Sequence, residues 1–191
     1  MILFKYMKVK KRIFKLGETE KKILVAVGLG ALVVSTLVLP NLPIAIRGIV
    51  KLRGNKWLNK TFENMKKKGL INLGGEKIKL TAKGKRMLRE VELSDLKLTK
   101  PKEWDGIWRL VSYDIPEKYK KSRDFFRYIL LKNGFCQIQE SLWVHPYQCK
   151  EEIAAVTKNI HLSRYVIMME TEKLPNEMDM QDHFGLSELE E

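Results

Sequence analysis

Side chains able to do covalent chemistry are sparse in this sequence of 191 residues. Asp114 is next to last in an apolar run, IWRLVSYDI, that Pro116 ends. An aspartate placed there can order the turn by bonding nearby backbone. As a cation ligand it is thin, because a hard divalent ion takes several oxygens and one carboxylate supplies at most two. Cys136, His145 and Cys149 lie near one another in sequence. They lack the fourth ligand and the paired spacing of a zinc site. Two cysteines do not make the disulfide framework of a secreted scaffold, so a reducing, cytoplasmic setting is expected. The sequence holds no glycine-rich phosphate loop, no nucleophile elbow and no HExxH pair. That excludes the P-loop, serine-hydrolase and zincin chemistries that need those spacings. No cofactor is expected.

Cations are the abundant chemistry. The formal charge is +13, with 45% hydrophobic and 31% charged residues. Such a chain folds, and its excess of positive charge suits polyanions: nucleic acid first, an anionic membrane surface second. The charge is segregated. Residues 1–100 carry about 24 Lys/Arg against about 7 Asp/Glu, residues 101–169 are nearly balanced, and the segment from Glu170 onward is acidic. The polyanion surface is therefore expected in the first half.

The elements that must present these cations read as follows. Residues 1–18 form a basic arm. Residues 19–90 form a first domain that opens on a long apolar helix, Ile23–Leu39, with Thr19 as its cap. That helix carries no charge and has the length of the shortest membrane spans. Gly28, Gly30, Ser35 and Thr36 dilute it, and Pro40 and Pro43 stop it, which favours burial in protein over lipid. A short helix follows from Pro43 to about Leu52, presenting Arg47 and Lys51. A third helix spans Asn55–Lys68, with Leu58, Phe62 and Met65 at core spacing. Its other faces carry Asn55, Lys56, Asn59, Lys60 and Lys67. Gly69 ends it as a left-handed cap. Two short apolar runs, Leu70–Leu73 and Lys77–Leu80, flank Gly74-Gly75-Glu76 as a hairpin. Thr81 then caps a last helix from Ala82 to about Glu90.

Helix, helix, helix, hairpin, helix is the order of a winged helix-turn-helix domain. A helix of that width enters the major groove, and lysines of the wing meet phosphates. Lys77, Lys79 and Lys83 are the expected wing contacts. The segment Leu80-Thr81-Ala82-Lys83-Gly84-Lys85-Arg86 resembles the wing-to-helix junction of winged-helix regulators. Residues 91–103 read as a polar linker. From 104 to 170 the order becomes strand (Ile107–Ile115), helix (Glu117–Asn133), strand (Phe135–Gln139), strand (Leu142–His145), helix (Lys150–Lys158) and strand (Arg164–Met169). That is the ferredoxin-like arrangement, so the expected class is α+β. Residues 171–191 read as an acidic tail, whose His183-Phe184-Gly185-Leu186 could dock on a partner or a second subunit.

Trp104–Pro146 resembles the central domain of PaaX-type transcriptional repressors, and equally the small CRISPR spacer-acquisition endonuclease to which that domain is related. The matching positions are Tyr113-Asp114-Ile115-Pro116, Arg123, Gly134, and Gln139 to Val144. The resemblance implies a dimeric DNA-binding repressor with double-stranded DNA as its partner. Its usual further C-terminal domain is not found here, so no acyl-coenzyme A effector is carried over. The alternative it implies is a CRISPR-type protein, acting as a metal-dependent endonuclease or as a non-catalytic DNA scaffold. There, Asp114 of two subunits would pair across the dimer to hold Mg and activate water. A membrane-tethered protein, anchored through Ile23–Leu39, is the third reading.

Overall fold

The computed structural model describes residues 16–28, 59–74, 77–99, 101 and 103–186. It is an α+β protein with two antiparallel sheets. Its contacts divide it into a unit within 14–95 and a unit within 96–191.

In the first unit, α1 (Glu18–Gly28) begins two residues earlier than the Thr19 cap implied. Gly17 takes the capping position, its carbonyl accepting from the Lys21 amide, and Glu20 reaches back to the Gly17 amide at 3.1 Å. That is the carboxylate half of a capping box. Ile23, Leu24, Ala26 and Val27 are buried, and the helix packs on the segments Lys77–Leu80 and Ala82–Ser94. The start of the apolar stretch is thus covered by protein. Its continuation, 29–39, lies outside the described residues, as does the expected helix from Pro43 to Leu52. Among the described residues no helix is long and apolar enough to cross a membrane.

Helix α2 is described over 59–67. Met65 is fully buried and Phe62 partly so, as the spacing requires, and Thr61 joins them. Gly69, at φ +67, closes the helix: its amide bonds the Lys66 carbonyl and the Leu70 amide bonds that of Met65. This is a Schellman motif, with buried Leu70 as its apolar contact. Strands β1 (Ile71–Gly74) and β2 (Lys77–Leu80) pair in the register Ile71↔Leu80 and Asn72↔Lys79. Alternation sends Ile71 and Ile78 into the core and leaves Asn72 and Lys79 exposed. Helix α3 (Ala82–Ser94) runs four residues beyond the expected end near Glu90. Val91 and Ser94 continue its buried stripe, and no proline or glycine follows Glu90 within it.

The second unit is a four-stranded antiparallel sheet in the order β4-β5-β3-β6. Its elements are β3 (Trp108–Tyr113), α4 (Lys120–Lys132), β4 (Cys136–Gln139), β5 (Leu142–His145), α5 (Lys150–Asn159) and β6 (Val166–Thr171). The strand–helix–strand–strand–helix–strand sequence is the one expected. Strand β6 starts two residues later than anticipated, because Ser163–Tyr165 form a 3-10 turn first. A second 3-10 turn, Glu117–Tyr119, precedes α4. Phe125, Phe126, Ile129 and Leu130 are buried as their spacing predicted.

The acidic tail differs from expectation. Residues Glu177–Phe184 form a helix, α6, and fold onto this chain's own sheet. Met180, Phe184, Leu174 and buried Leu186 pack on Trp108, Cys136 and Val144. The Trp108 indole N–H donates to Glu177 at 3.2 Å. The apolar group placed in the tail therefore has an intramolecular partner.

Candidate nucleic-acid interface

The hairpin and its flanking helices are locked by one threonine and one glycine. Thr81 Oγ accepts from the Gly84 amide at 3.0 Å and so caps α3. The same hydroxyl donates to the Gly69 carbonyl at 2.7 Å. The Leu70 carbonyl accepts from the Thr81 amide at 3.1 Å and stands 2.0 Å from where a Cβ on Gly84 would lie. Only glycine lets α3 approach so closely. The Lys83 ammonium donates to the Lys68 carbonyl at 2.6 Å and so satisfies the C-terminal end of α2. End of α2, hairpin and start of α3 form one bonded junction.

Cations cover the outside of this junction. On α2, Asn59, Lys60, Lys66 and Lys67 are exposed. On the hairpin, Lys79 is exposed, and Lys77 begins strand β2 opposite Gly74. Lys68 is ion-paired to Glu20 at 2.7 Å. Lys85, Arg86 and Arg89 on α3 are exposed too, and were not among the expected contacts. Arg86 lies one turn from Lys83, and Arg89 one turn from both Lys85 and Arg86, a helical spacing that could have found them. Arg47, Lys51, Asn55 and Lys56 lie outside the described residues.

In the second unit Asp114 is exposed at the end of β3, and its amide donates to the Tyr165 carbonyl at 3.0 Å. Among the described residues no group of three or more His, Cys, Asp or Glu could hold a metal ion. One exposed carboxylate per chain does not fit a divalent cation, so no hydrolytic step is derived from it. Cys136, His145 and Cys149 do not converge. Cys136 shares the sheet face of its register partner Val144, whereas His145 is the next residue along β5 and leaves on the other side. Both cysteines are free and buried, and burial pushes the Cys149 thiol up to about 12.

The strongest polar construction in the unit is structural. Arg109, only 2% exposed, forks onto Asp105 at 2.6 Å and donates to the carbonyls of Ile107 and Pro146. The hydrogen bonds from Arg109 hold the Asp105 carboxyl below its ordinary range.

Residues 101–183 match the family model described as the PaaX protein central Cas2-like domain. The second unit is a PaaX-type, Cas2-like domain. No curated protein matches the chain. The match ends at residue 183, within α6, so it takes in most of the helical strap. A domain of this type fits a regulator of the PaaX kind in general.

Proposed function

We propose that the chain is a dimeric DNA-binding repressor of the PaaX type, acting in the cytoplasm without a cofactor. Residues 19–90 serve as a winged helix-turn-helix. The helix over 55–68 reads the major groove, and Lys77, Lys79, Lys83, Arg47 and Lys51 touch phosphate. The ferredoxin-like second unit joins two copies.

The observation that carries the reading is the bonded junction from Gly69 to Gly84. It fixes a basic helix and a lysine-bearing hairpin to one another on the chain that also holds a Cas2-like domain. A helix and a wing held rigidly can meet groove and phosphate together without losing further conformational freedom. The dimer rests on β6, an edge strand whose Ile167 and Met169 are 63% and 45% exposed on a sheet face that α6 covers only at one end.

Fluorescence anisotropy of labelled duplex DNA with the full chain tests the reading. Lys60→Glu with Lys79→Glu should reduce the slope of log affinity against log salt by about 2, roughly one per contact. Unchanged duplex affinity in that variant removes the winged helix as the binding surface. With Mg present the duplex should stay intact. Cleavage that Asp114→Ala abolishes would move the chain to the endonuclease alternative.

A further inference from the structure

The two 3-10 turns of the Cas2-like domain meet beside Asp114 and bring a second cationic construction together, on the unit whose formal charge is otherwise nearly balanced. The Asp114 amide bond to the Tyr165 carbonyl ties the turn 163–165 to the end of β3. The turn Glu117–Tyr119 leaves that same strand end. As a result the rings of Tyr119 and Tyr165 lie 5.5 Å apart, tilted by 46°. Each ring carries a cation. The Arg164 guanidinium sits 4.7 Å from the Tyr165 centroid and donates to its hydroxyl at 2.6 Å. The Lys118 ammonium sits 5.1 Å from the Tyr119 centroid.

Nothing in the core needs this arrangement. Arg164 and Lys118 are exposed, and both rings remain partly open to solvent. The neighbouring carboxylate, Glu117, is already engaged by Lys120 at 2.6 Å and Arg123 at 2.7 Å. The partners that hold Arg164 are tyrosines, which orient the guanidinium without neutralising it. The hydrogen bond from Tyr165, and then Lys118, lower the Tyr119 hydroxyl from its usual range, as expected where positive charge collects. Two exposed cations and two phenol hydroxyls around one pair of rings supply the donors that phosphate oxygens accept. The adjacent aromatic faces match an unstacked base.

We infer that Lys118, Tyr119, Arg164 and Tyr165 form a phosphate-and-base platform through which the Cas2-like domain holds a nucleic-acid strand. Arg164 and Lys118 take one backbone phosphate, and a tyrosine face takes the base next to it. The choice of nucleic acid over another phosphate carrier rests on the function proposed above. The platform itself is distinct from the winged-helix surface of the first unit.

The test uses the full chain with oligonucleotides carrying 5-iodouracil, both single-stranded and duplex, irradiated and mapped by peptide mass. Crosslinks at Tyr119 or Tyr165 are expected. The double variant Arg164→Glu, Lys118→Glu should bind the same strand about 5- to 10-fold more weakly at ~0.15 M salt, with a salt slope smaller by about 1. Crosslinks confined to residues 59–89, with the slope unchanged in the variant, overturn the platform and leave the repressor reading standing. Failure of the wild-type chain to bind any oligonucleotide overturns both. A third arm titrates inorganic phosphate alone against the Arg164 side-chain NMR signal. If millimolar phosphate shifts that signal and oligonucleotide does not, the patch takes free phosphate and the assignment to nucleic acid is wrong. The crosslink map needs only wild-type protein, so it decides the matter even where the variant folds poorly.

Discussion

The Leu70 carbonyl occupies the space that a methyl group on Gly84 needs, and that carbonyl is held in place by the Thr81 amide. Gly84→Ala should therefore lower stability by about 2–3 kcal/mol in denaturant melts, although alanine favours a helix. An unchanged melting curve would show that the junction has slack. His161 is the opposite case. It sits at φ +59 in the left-handed position that ends α5, where the Leu162 amide reaches the Thr157 carbonyl. A side chain there is strained, so His161→Gly should stabilise the fold by about 0.5–1 kcal/mol. Asp105 provides a pH dependence. Its folded pKa is depressed by the hydrogen bonds from Arg109, so the pair stabilises the fold above the ordinary aspartate range. That contribution fades as pH falls through the depressed value. Asp105→Asn should flatten the acid side of a stability-against-pH curve measured between neutral pH and about pH 2. The junction residues were legible, because a threonine cap followed three positions on by a glycine is a local pattern. The Arg109 fork was not, since its value comes from carbonyls at Ile107 and Pro146 that only tertiary packing brings together.

At the scale of elements, periodicity identified every strand and helix of the Cas2-like domain apart from the strap α6. Four short strands with apolar alternation and two helices with a clear buried stripe are strong local signals. The strap is eight residues long and rich in acid, with Leu174, Met180, Phe184 and Leu186 at no single period, so it read as a solvated tail. Its fold depends on a sheet face that the sequence does not announce. Phe184 rests on the rings of Trp108, at 5.9 Å, and His145, at 6.0 Å. Phe184→Ala should cost about 2 kcal/mol, less than a fully buried phenylalanine because this one is partly exposed. It should also shift Trp108 emission to the red as water reaches the indole. A blue-edge spectrum unchanged from wild type would mean that the strap stays down without its anchor. The first unit was legible at its hairpin and at its Gly69 and Thr81 caps, whereas the cap of α1 is Gly17 and not Thr19. The start of the helix expected over 55–68 and the continuation of the apolar stretch, 29–39, lie outside the described residues.

On the scale of the whole molecule, the proposed function links dimerisation and DNA affinity by arithmetic. In that proposal a single first unit would offer a handful of phosphate contacts, and two copies joined through their second units would offer twice as many. Joining makes the second contact intramolecular, with an effective concentration near the millimolar range, so avidity exceeds either single affinity by about 10²-fold or more. The face that would join them is marked by Ile167 and Met169, which are too exposed for a core role and lie on the edge strand. Ile167→Lys with Met169→Lys puts two charges on that face without touching a buried residue. Sedimentation should then report monomers, with the melting temperature nearly unchanged. Duplex affinity should fall by about 100-fold, and the salt slope by about half, because each chain now meets the DNA alone. A variant that becomes monomeric yet keeps its full slope would mean that one chain makes all the phosphate contacts. In that case the site on DNA need not be two-fold symmetric. A variant that stays dimeric would move the interface away from β6.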